Sequence, residues 1–268
     1  VPSGKYWHDS ARAARAFAHA PPCAPLRASI FRYHGAMCGR FDQSETARYY
    51  ASVFGWADAL YDTEAEPGRN VAPGSYRPVL HIGDGAHRVD DVYWGYRPRW
   101  AEGKVPICIN ARLDKLTNRY WATLLKGGRA LVPADGWYEW TGEKGHKQPW
   151  HLHRADREPL FMLALANFGS FTEHRAEAGF VLVTDDAAGG MLDIHDRRPV
   201  VLSAADGARW LEPGLSATQA LELARAAALP VEQFEWQRVG TDLNRVSATQ
   251  ALVAPPAAGD AETDSLWT

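Results

Sequence analysis

Between Pro78 and Thr184 the chain is mainly a series of short strand-like runs, some apolar throughout and some alternating apolar with polar residues, bounded by polar turns. The pattern predicts a β-hairpin from Pro78–Ile82 and Arg88–Trp94 around Gly83-Asp84-Gly85. Strands are expected over Ala130–Trp140, Pro149–His153, Leu160–Ala166 and Gly179–Thr184, with tight polar turns such as Gly142-Glu143-Lys144-Gly145 between them. Shorter ones are expected after Met37, at Val200–Leu202 and at Gln233–Val239. Helical spacing is rarer. Ser44 reads as the N-cap of a helix from Glu45 to Phe54, whose stripe is Ala47, Tyr50, Ala51 and Phe54, with Gly55 as the C′ residue. Leu116, Tyr120, Trp121 and Leu124 mark a second helix, stopped by Gly127-Gly128. Ser203 caps a third through Trp210. A capping box at Ser216-Ala217-Thr218-Gln219 opens a fourth, which Pro230 stops. Helices do not alternate regularly with strands, so the expected fold is α+β, a single domain with a mainly antiparallel sheet.

Composition adds limits. With 268 residues, 46% hydrophobic and 23% charged, the chain can bury a substantial core. No apolar run approaches the roughly 20 residues that span a bilayer, so no membrane partner is expected. Net charge is −3, and residues 1–36 hold five basic residues against one acid, leaving 24 basic against 31 acidic, or −7, in the remainder. A chain of that charge binds nucleic acid only through a local basic groove. Eleven tryptophans raise the prospect of stacking platforms for bases or sugars. Three cysteines, Cys23, Cys38 and Cys108, cannot all pair, which favours a reducing, cytoplasmic setting. Neither CxxC nor HExxH occurs, so neither a metal nor another cofactor is expected. His151 and His153 read as two solvent-facing residues on one sheet face.

The reactive candidates are few. Met37-Cys38-Gly39 is what a nucleophilic N-terminus looks like once its methionine is removed. A Cys38 exposed as residue one carries an α-amine of pKa about 7.7–8.0 beside a thiol near about 8.5, both partly deprotonated at neutral pH. Such a 1,2-aminothiol can form an imine with an aldehyde and close to a thiazolidine. Cys108, between Ile107 and Ile109, reads as a small buried hydrophobe. Glu139, among Trp137, Tyr138 and Trp140, is either a surface carboxylate or one desolvated towards general-acid use. His195, between Asp193 and Asp196, is either a solvated loop histidine or a catalytic one. Asn110 and Arg112 either position a polar substrate or cap a turn.

Six motifs occur in order: Met37-Cys38-Gly39-Arg40-Phe41, Asn70-Val71-Ala72-Pro73-Gly74, Trp94-Gly95-Tyr96 with Pro98 and Trp100, Asn110-Ala111-Arg112, Ala134-Asp135-Gly136-Trp137-Tyr138-Glu139-Trp140 and Asp193-Ile194-His195-Asp196-Arg197-Arg198-Pro199. Together they resemble the SOS-response-associated peptidase family of abasic-site processing proteins, over roughly Met37 to Ala251. The resemblance implies a barrel-like β-sheet with peripheral helices. It also implies a DNA–protein crosslink between an N-terminal cysteine and the ring-opened aldehyde of an abasic site in single-stranded DNA. The family's catalytic positions fall on Cys38, Asn110, Glu139 and His195, and its phosphate-gripping arginines on Arg40 and Arg112. Pro73, Trp100 and Trp140 match positions near the DNA path. The partner implied is single-stranded DNA containing abasic sites, bound by a monomer.

Two departures stand out: Arg198 replaces the family's more frequent methionine, and 36 residues precede Met37. That Ala-, Arg- and Pro-rich stretch reads as untranslated, with Val1 a literally translated GTG codon, or as a removed propeptide or transit segment. The expected organisation is therefore an extension over 1–36, a catalytic domain over 37–253 and a frayed tail over 254–268. The competing reading is an N-terminal-nucleophile amidohydrolase or cysteine peptidase, since class II amidotransferases also begin Met-Cys-Gly.

Overall fold

The computed structural model describes residues 39–143, 145–169 and 175–245. The expected extension, Cys38 and the tail beyond residue 253 lie outside them. Fourteen strands run among the described residues: β1 (Phe41–Gln43), β2 (Leu60–Asp62), β3 (Gly68–Val71), β4 (Tyr76–Gly83), β5 (Ala86–Trp94), β6 (Asn110–Arg112), β7 (Arg129–Ala134), β8 (Gly136–Thr141), β9 (Gln148–Arg154), β10 (Leu160–Ala166), β11 (Gly179–Asp186), β12 (Arg197–Pro199), β13 (Val201–Leu202) and β14 (Phe234–Arg238). Four α-helices accompany them: α1 (Ala47–Phe54), α2 (Ala122–Gly127), α3 (Ala204–Leu211) and α4 (Ala217–Ala227).

A smaller sheet has the order β14-β9-β8-β1-β3, and a larger one β12-β11-β10-β7-β4-β5-β2 with β13 and β6 attached. Pairing is mostly antiparallel. The parallel contact Gly179↔Tyr93 and Phe180↔Trp94 joins β11 to β5, so the run β5-β4-β7-β10-β11 returns on itself as a ring. The expected barrel-like α+β fold is what the chain adopts. β10 shows why it layers as it does. All seven of its residues are buried; Phe161, Leu163 and Leu165 face one hydrophobic cluster, and Leu160, Met162, Ala164 and Ala166 the other. The first cluster takes in Phe54 of α1, Leu125 of α2, Trp210 of α3 and Leu221 of α4, so the helices cover the outside of the larger sheet. The second holds Phe41, Trp137 and Leu152 of the smaller sheet against Val132, Met162 and Phe180 of the larger.

Helix ends are secured by specific partners. The side chain of Thr46, rather than Ser44, caps α1 by accepting the Tyr49 N–H. Ser203 and Ser216 cap α3 and α4 as expected, the latter in a full capping box. The second helix is shorter than its apolar spacing predicts. Leu113–Lys115 is a 3-10 turn, and Asn118 receives the N–H groups of Tyr120 and Trp121 before α2 begins. Arg129 donates to the carbonyls of Leu125, Trp210 and Glu212, binding the C-terminal ends of α2 and α3 to β7.

The expected single strand Ala130–Trp140 is two strands that belong to different sheets, β7 and β8, parted at Asp135. The Asp135 carboxylate accepts the Ser44 N–H at 2.8 Å and the Tyr50 hydroxyl at 2.6 Å, and its own N–H bonds the Asp42 carbonyl at 2.8 Å. Ser44 and Tyr50 thus hold the crossing in place, and Ser44 is absorbed there instead of capping a helix. Gly136 follows because there is no room for anything larger. A Cβ there would lie 2.2 Å from His151 Nε2 and 2.5 Å from the Leu152 carbonyl oxygen.

His151 and His153 are not solvent-facing: they are 9% and 2% exposed, packed ring to ring beside Tyr138 and Asp42. Tyr138 donates to the Asp42 carboxylate at 3.2 Å and Ser44 Oγ bonds its other oxygen. His151 Nε2 stands 3.5 Å from Asp42 with no aligned hydrogen bond. Burial, reinforced by His153, Arg69 and Arg157, pushes His151 down to about 4, while burial pushes Asp42 up.

Two outcomes follow. Gly136→Ala should cost at least about 2 kcal/mol in a urea titration, because the Leu152 backbone cannot retreat. His151 binds its proton more weakly when folded (about 4) than when unfolded (about 6.5), so stability is full above pH 6.5 and falls as pH drops to about 4. The loss from His151 is on the order of 3 kcal/mol. Asp42 acts in the opposite direction at the acid end, so comparing wild type with His151→Gln isolates the histidine: the variant should lose this part of the slope.

Candidate functional site

Strand register brings the candidates to one end of the sheets. β1 pairs with β8 as Phe41↔Trp137 and Asp42↔Gly136, and the Tyr138 N–H bonds the Arg40 carbonyl at 3.0 Å. Traced backwards, the chain before β1 therefore runs along β8 towards Glu139. Cys38, the expected nucleophile, lies outside the described residues. Glu139 is 3% exposed, opposite Trp150 of β9, and alternation puts it on the same face as the core residue Trp137. Of the two sequence readings of Glu139, the surface carboxylate is ruled out, since the side chain is buried.

Arg40 and Trp140 meet directly. The guanidinium carbon lies 5.6 Å from the Trp140 ring centroid. Nη1 of Arg40 donates to Asn70 Oδ1 at 2.8 Å and to the Leu243 carbonyl at 3.2 Å. Burial holds the Arg40 pKa below its ordinary value. Both hydrogen-bond acceptors are neutral, and among the described residues no carboxylate lies within ion-pair distance.

The other half of the site hangs on β11. β6 pairs alongside it, Leu182↔Asn110 and Thr184↔Arg112, so Asn110 and Arg112 share a face two residues apart. Arg112 is half-exposed, and its fork is occupied by the Asp114 carboxylate at 2.9 and 3.0 Å. Beside it Arg197 is buried, held by Asp186 at 2.8 Å and by the Thr184 carbonyl and hydroxyl at 3.0 and 3.2 Å. Arg197 also sets His195: its backbone N–H donates to His195 Nδ1 at 3.1 Å. The Asp196 carboxylate lies equally close to the same nitrogen, but it is solvent-exposed and makes no aligned hydrogen bond. The aligned bond governs, leaving Nδ1 an acceptor and putting the proton on Nε2. Burial lowers the His195 pKa against the opposing pull of Asp196, and Lys147, at the edge of β9, disfavours the charged form further. Lys147 thereby links the two halves, because its carbonyl is bonded to Asn244 and Asn244 to Trp140.

The structure thus gathers Arg40, Glu139 and Trp140 on the smaller sheet, and Asn110, Arg112 and His195 on the larger. Among the described residues no hydrogen bond, ion pair or ring contact draws in Pro73 or Trp100. Pro73 occupies the turn between β3 and β4, and Trp100 is an exposed ring packed on Tyr120 beneath the Arg119 guanidinium. Arg198, the departure from the family pattern, donates to the Leu229 carbonyl at 2.7 Å and lies over Phe234, so it serves packing. Cys108 is partly buried, its thiol pushed up by burial. Sequence reading missed Asn70, Asn244 and Arg197 as parts of this end. Asn70 and Arg197 stood inside quoted motifs, whereas nothing local marked Asn244. Among the described residues no group of three His, Cys, Asp or Glu could hold a metal ion, and no helix is long and apolar enough to cross a membrane.

Residues 37–246 match the SOS response associated peptidase (SRAP) family. The abasic site processing protein YedK of Escherichia coli is 39% identical over 224 residues, 82% of this chain and 100% of that one. The abasic site processing protein HMCES of Xenopus tropicalis is 30% identical over 224 residues, 70% of this chain and 65% of that one. The crystal structure of a phage-related protein from Bordetella bronchiseptica superposes with a TM-score of 0.65 at 36% identity, covering 75% of this chain and 94% of its own.

His195 should be neutral at pH 7 with its proton on Nε2, and should titrate below the ordinary histidine value of about 6.5. Nitrogen-15 shifts of the imidazole across a pH series check both. An Nδ1–H tautomer would show that Asp196, not the Arg197 backbone, orients the ring.

Proposed function

The chain belongs to the SOS response associated peptidase family, and from that membership we propose that it processes abasic sites in single-stranded DNA by covalent capture through Cys38. The observation that carries the proposal is the buried Glu139 carboxylate on the strand along which the chain enters β1. In this reading Cys38 works as residue one, freed of everything before it by initiation at Met37 and methionine removal or by self-cleavage. Its α-amine attacks the C1′ aldehyde of the ring-opened deoxyribose, forming a C–N bond and a carbinolamine. Glu139 donates a proton to the carbinolamine hydroxyl, which leaves as water, and the resulting carboxylate takes back the nitrogen's proton to give the imine. The Cys38 thiol then adds to the imine carbon. A C–S bond forms, the nitrogen takes the proton, and a thiazolidine results with one water lost overall.

The remaining residues have roles matched to their surroundings. Neutral His195, with its proton on Nε2, donates a hydrogen bond to the sugar ring oxygen as the C1′–O4′ bond breaks, and that oxygen takes up the proton released by the C1′ hydroxyl through solvent. Asn110 holds the sugar or the α-amine. Arg40 and Arg112 take the flanking phosphates, Arg112 by exchanging Asp114 for phosphate. Trp100, exposed, and Pro73 support the bases beside the gap. An abasic nucleotide has no base to unstack, so its sugar enters at low cost. The working form is proposed as a monomer.

The test is incubation of protein beginning at Cys38 with an oligonucleotide whose uracil has been excised. A heat-stable adduct should form, with the summed mass of the two less one water. Cys38→Ala should abolish it, and Glu139→Gln should slow it by about 100-fold. Glutamine hydrolysis without any adduct would replace this reading with the amidohydrolase one.

A further inference from the structure

The Arg40–Trp140 pair is held by a stretch of chain that no catalytic motif contains. After β14 the backbone turns through the short 3-10 segment Thr241–Asn244. Its last residues lie across the end of the smaller sheet, Asn244 against Lys147 just before the start of β9 and Leu243 and Arg245 against Asn70 of β3. Asn244 is the hub. Its Oδ1 accepts the Trp140 indole N–H at 2.6 Å, and its Nδ2 donates to the Lys147 carbonyl at 3.1 Å. An indole can only donate and a carbonyl can only accept, so the amide orientation is fixed by its partners. The residue before it presents its carbonyl to Arg40 at 3.2 Å. Asn70 closes the ring: its Oδ1 accepts from Arg40, and its Nδ2 reaches the Leu243 and Arg245 carbonyls at 3.4 and 3.3 Å.

This ring immobilises a half-buried guanidinium over an aromatic face while giving it only neutral oxygens. A long flexible cation loses rotamer freedom when it grips an anion, and one already fixed loses less. We infer that Asn244 is a positioning residue for DNA binding, which, through Trp140 and the Leu243 carbonyl, presets the Arg40 guanidinium for a backbone phosphate. The inference rests on the reading of Arg40 as a phosphate ligand.

The test has one arm without DNA and one with it. In the free protein, the Arg40 guanidinium should show separate, slowly exchanging Nη signals by NMR, and Asn244→Ala should collapse them without moving the thermal midpoint. In the second arm, affinity is measured for a single-stranded oligonucleotide carrying a tetrahydrofuran abasic analogue, which cannot react. Arg40→Ala should weaken binding and flatten the slope of log affinity against log salt by about 0.7, the share of one phosphate on a single strand. Asn244→Ala should weaken it about 5-fold, with no further loss when added to Arg40→Ala and full multiplicative loss when added to Arg112→Ala. Asn244→Asp, which loses the Lys147 bond and sets a carboxylate near Arg40, should weaken it more than Asn244→Ala. Unchanged Nη signals in Asn244→Ala, or an effect that multiplies fully with Arg40→Ala, would overturn the inference. Signals that collapse as expected while Arg40→Ala binds DNA like wild type would instead overturn the assignment of Arg40 to phosphate, and the inference with it.

Discussion

Asp135 holds two sheets in one chain. By accepting from the Ser44 backbone and the Tyr50 hydroxyl, its carboxylate anchors the point at which a continuous run of β-forming residues leaves the larger sheet and enters the smaller. Immediately upstream, β7 lies between the two hydrophobic clusters. Immediately downstream, β8 carries Glu139 and Trp140 to the end where β1 begins. Gly136 completes the crossing because the Leu152 carbonyl and the His151 ring occupy the place of a side chain. Fold and site are therefore set within the same few residues, and a change at the crossing would displace Glu139 along with the core.

The site's three arginines illustrate how a domain of net negative charge can hold a polyanion. Arg197 is committed, sunk against Asp186 and Thr184, and its service to the site is the backbone N–H that orients His195. Arg112 is half-exposed and forked onto Asp114, so any phosphate it takes competes with a carboxylate in water, an exchange that salt readily shifts. Arg40 is half-buried with neutral acceptors, so among the described residues a phosphate there would displace no carboxylate. The three differ in burial and partner more than in charge.

Much of this was legible in the sequence because period and punctuation agreed. The hairpin is one case: Asp84 and Gly85 both adopt positive φ, the two-residue turn that Gly83-Asp84-Gly85 announced. The Ser216 capping box is another. What failed to show were features decided by distant partners. Ala130–Trp140 has an unbroken strand pattern, and only Ser44 and Tyr50, some ninety residues away, reveal the break. His151 and His153 alternate as surface residues do, yet Tyr138 and Asp42 lie against them and they are buried. The six ordered motifs named most of the residues described at the candidate site, whereas Asn244 works through side-chain and carbonyl contacts that leave no local pattern.

The contact between Arg40 and the Leu243 carbonyl spans 203 residues of sequence, nearly the full described length. Synthesis at about 5–20 residues per second separates the two ends by roughly 10–40 s. For that interval a growing polypeptide has its hairpin and its first strands but lacks the segment that steadies Arg40. Polypeptides cut short after β5 but before residue 241 remain in that condition permanently. The grip is thus a property of the finished molecule alone, and incomplete translation products carry the same early motifs without the means to aim them.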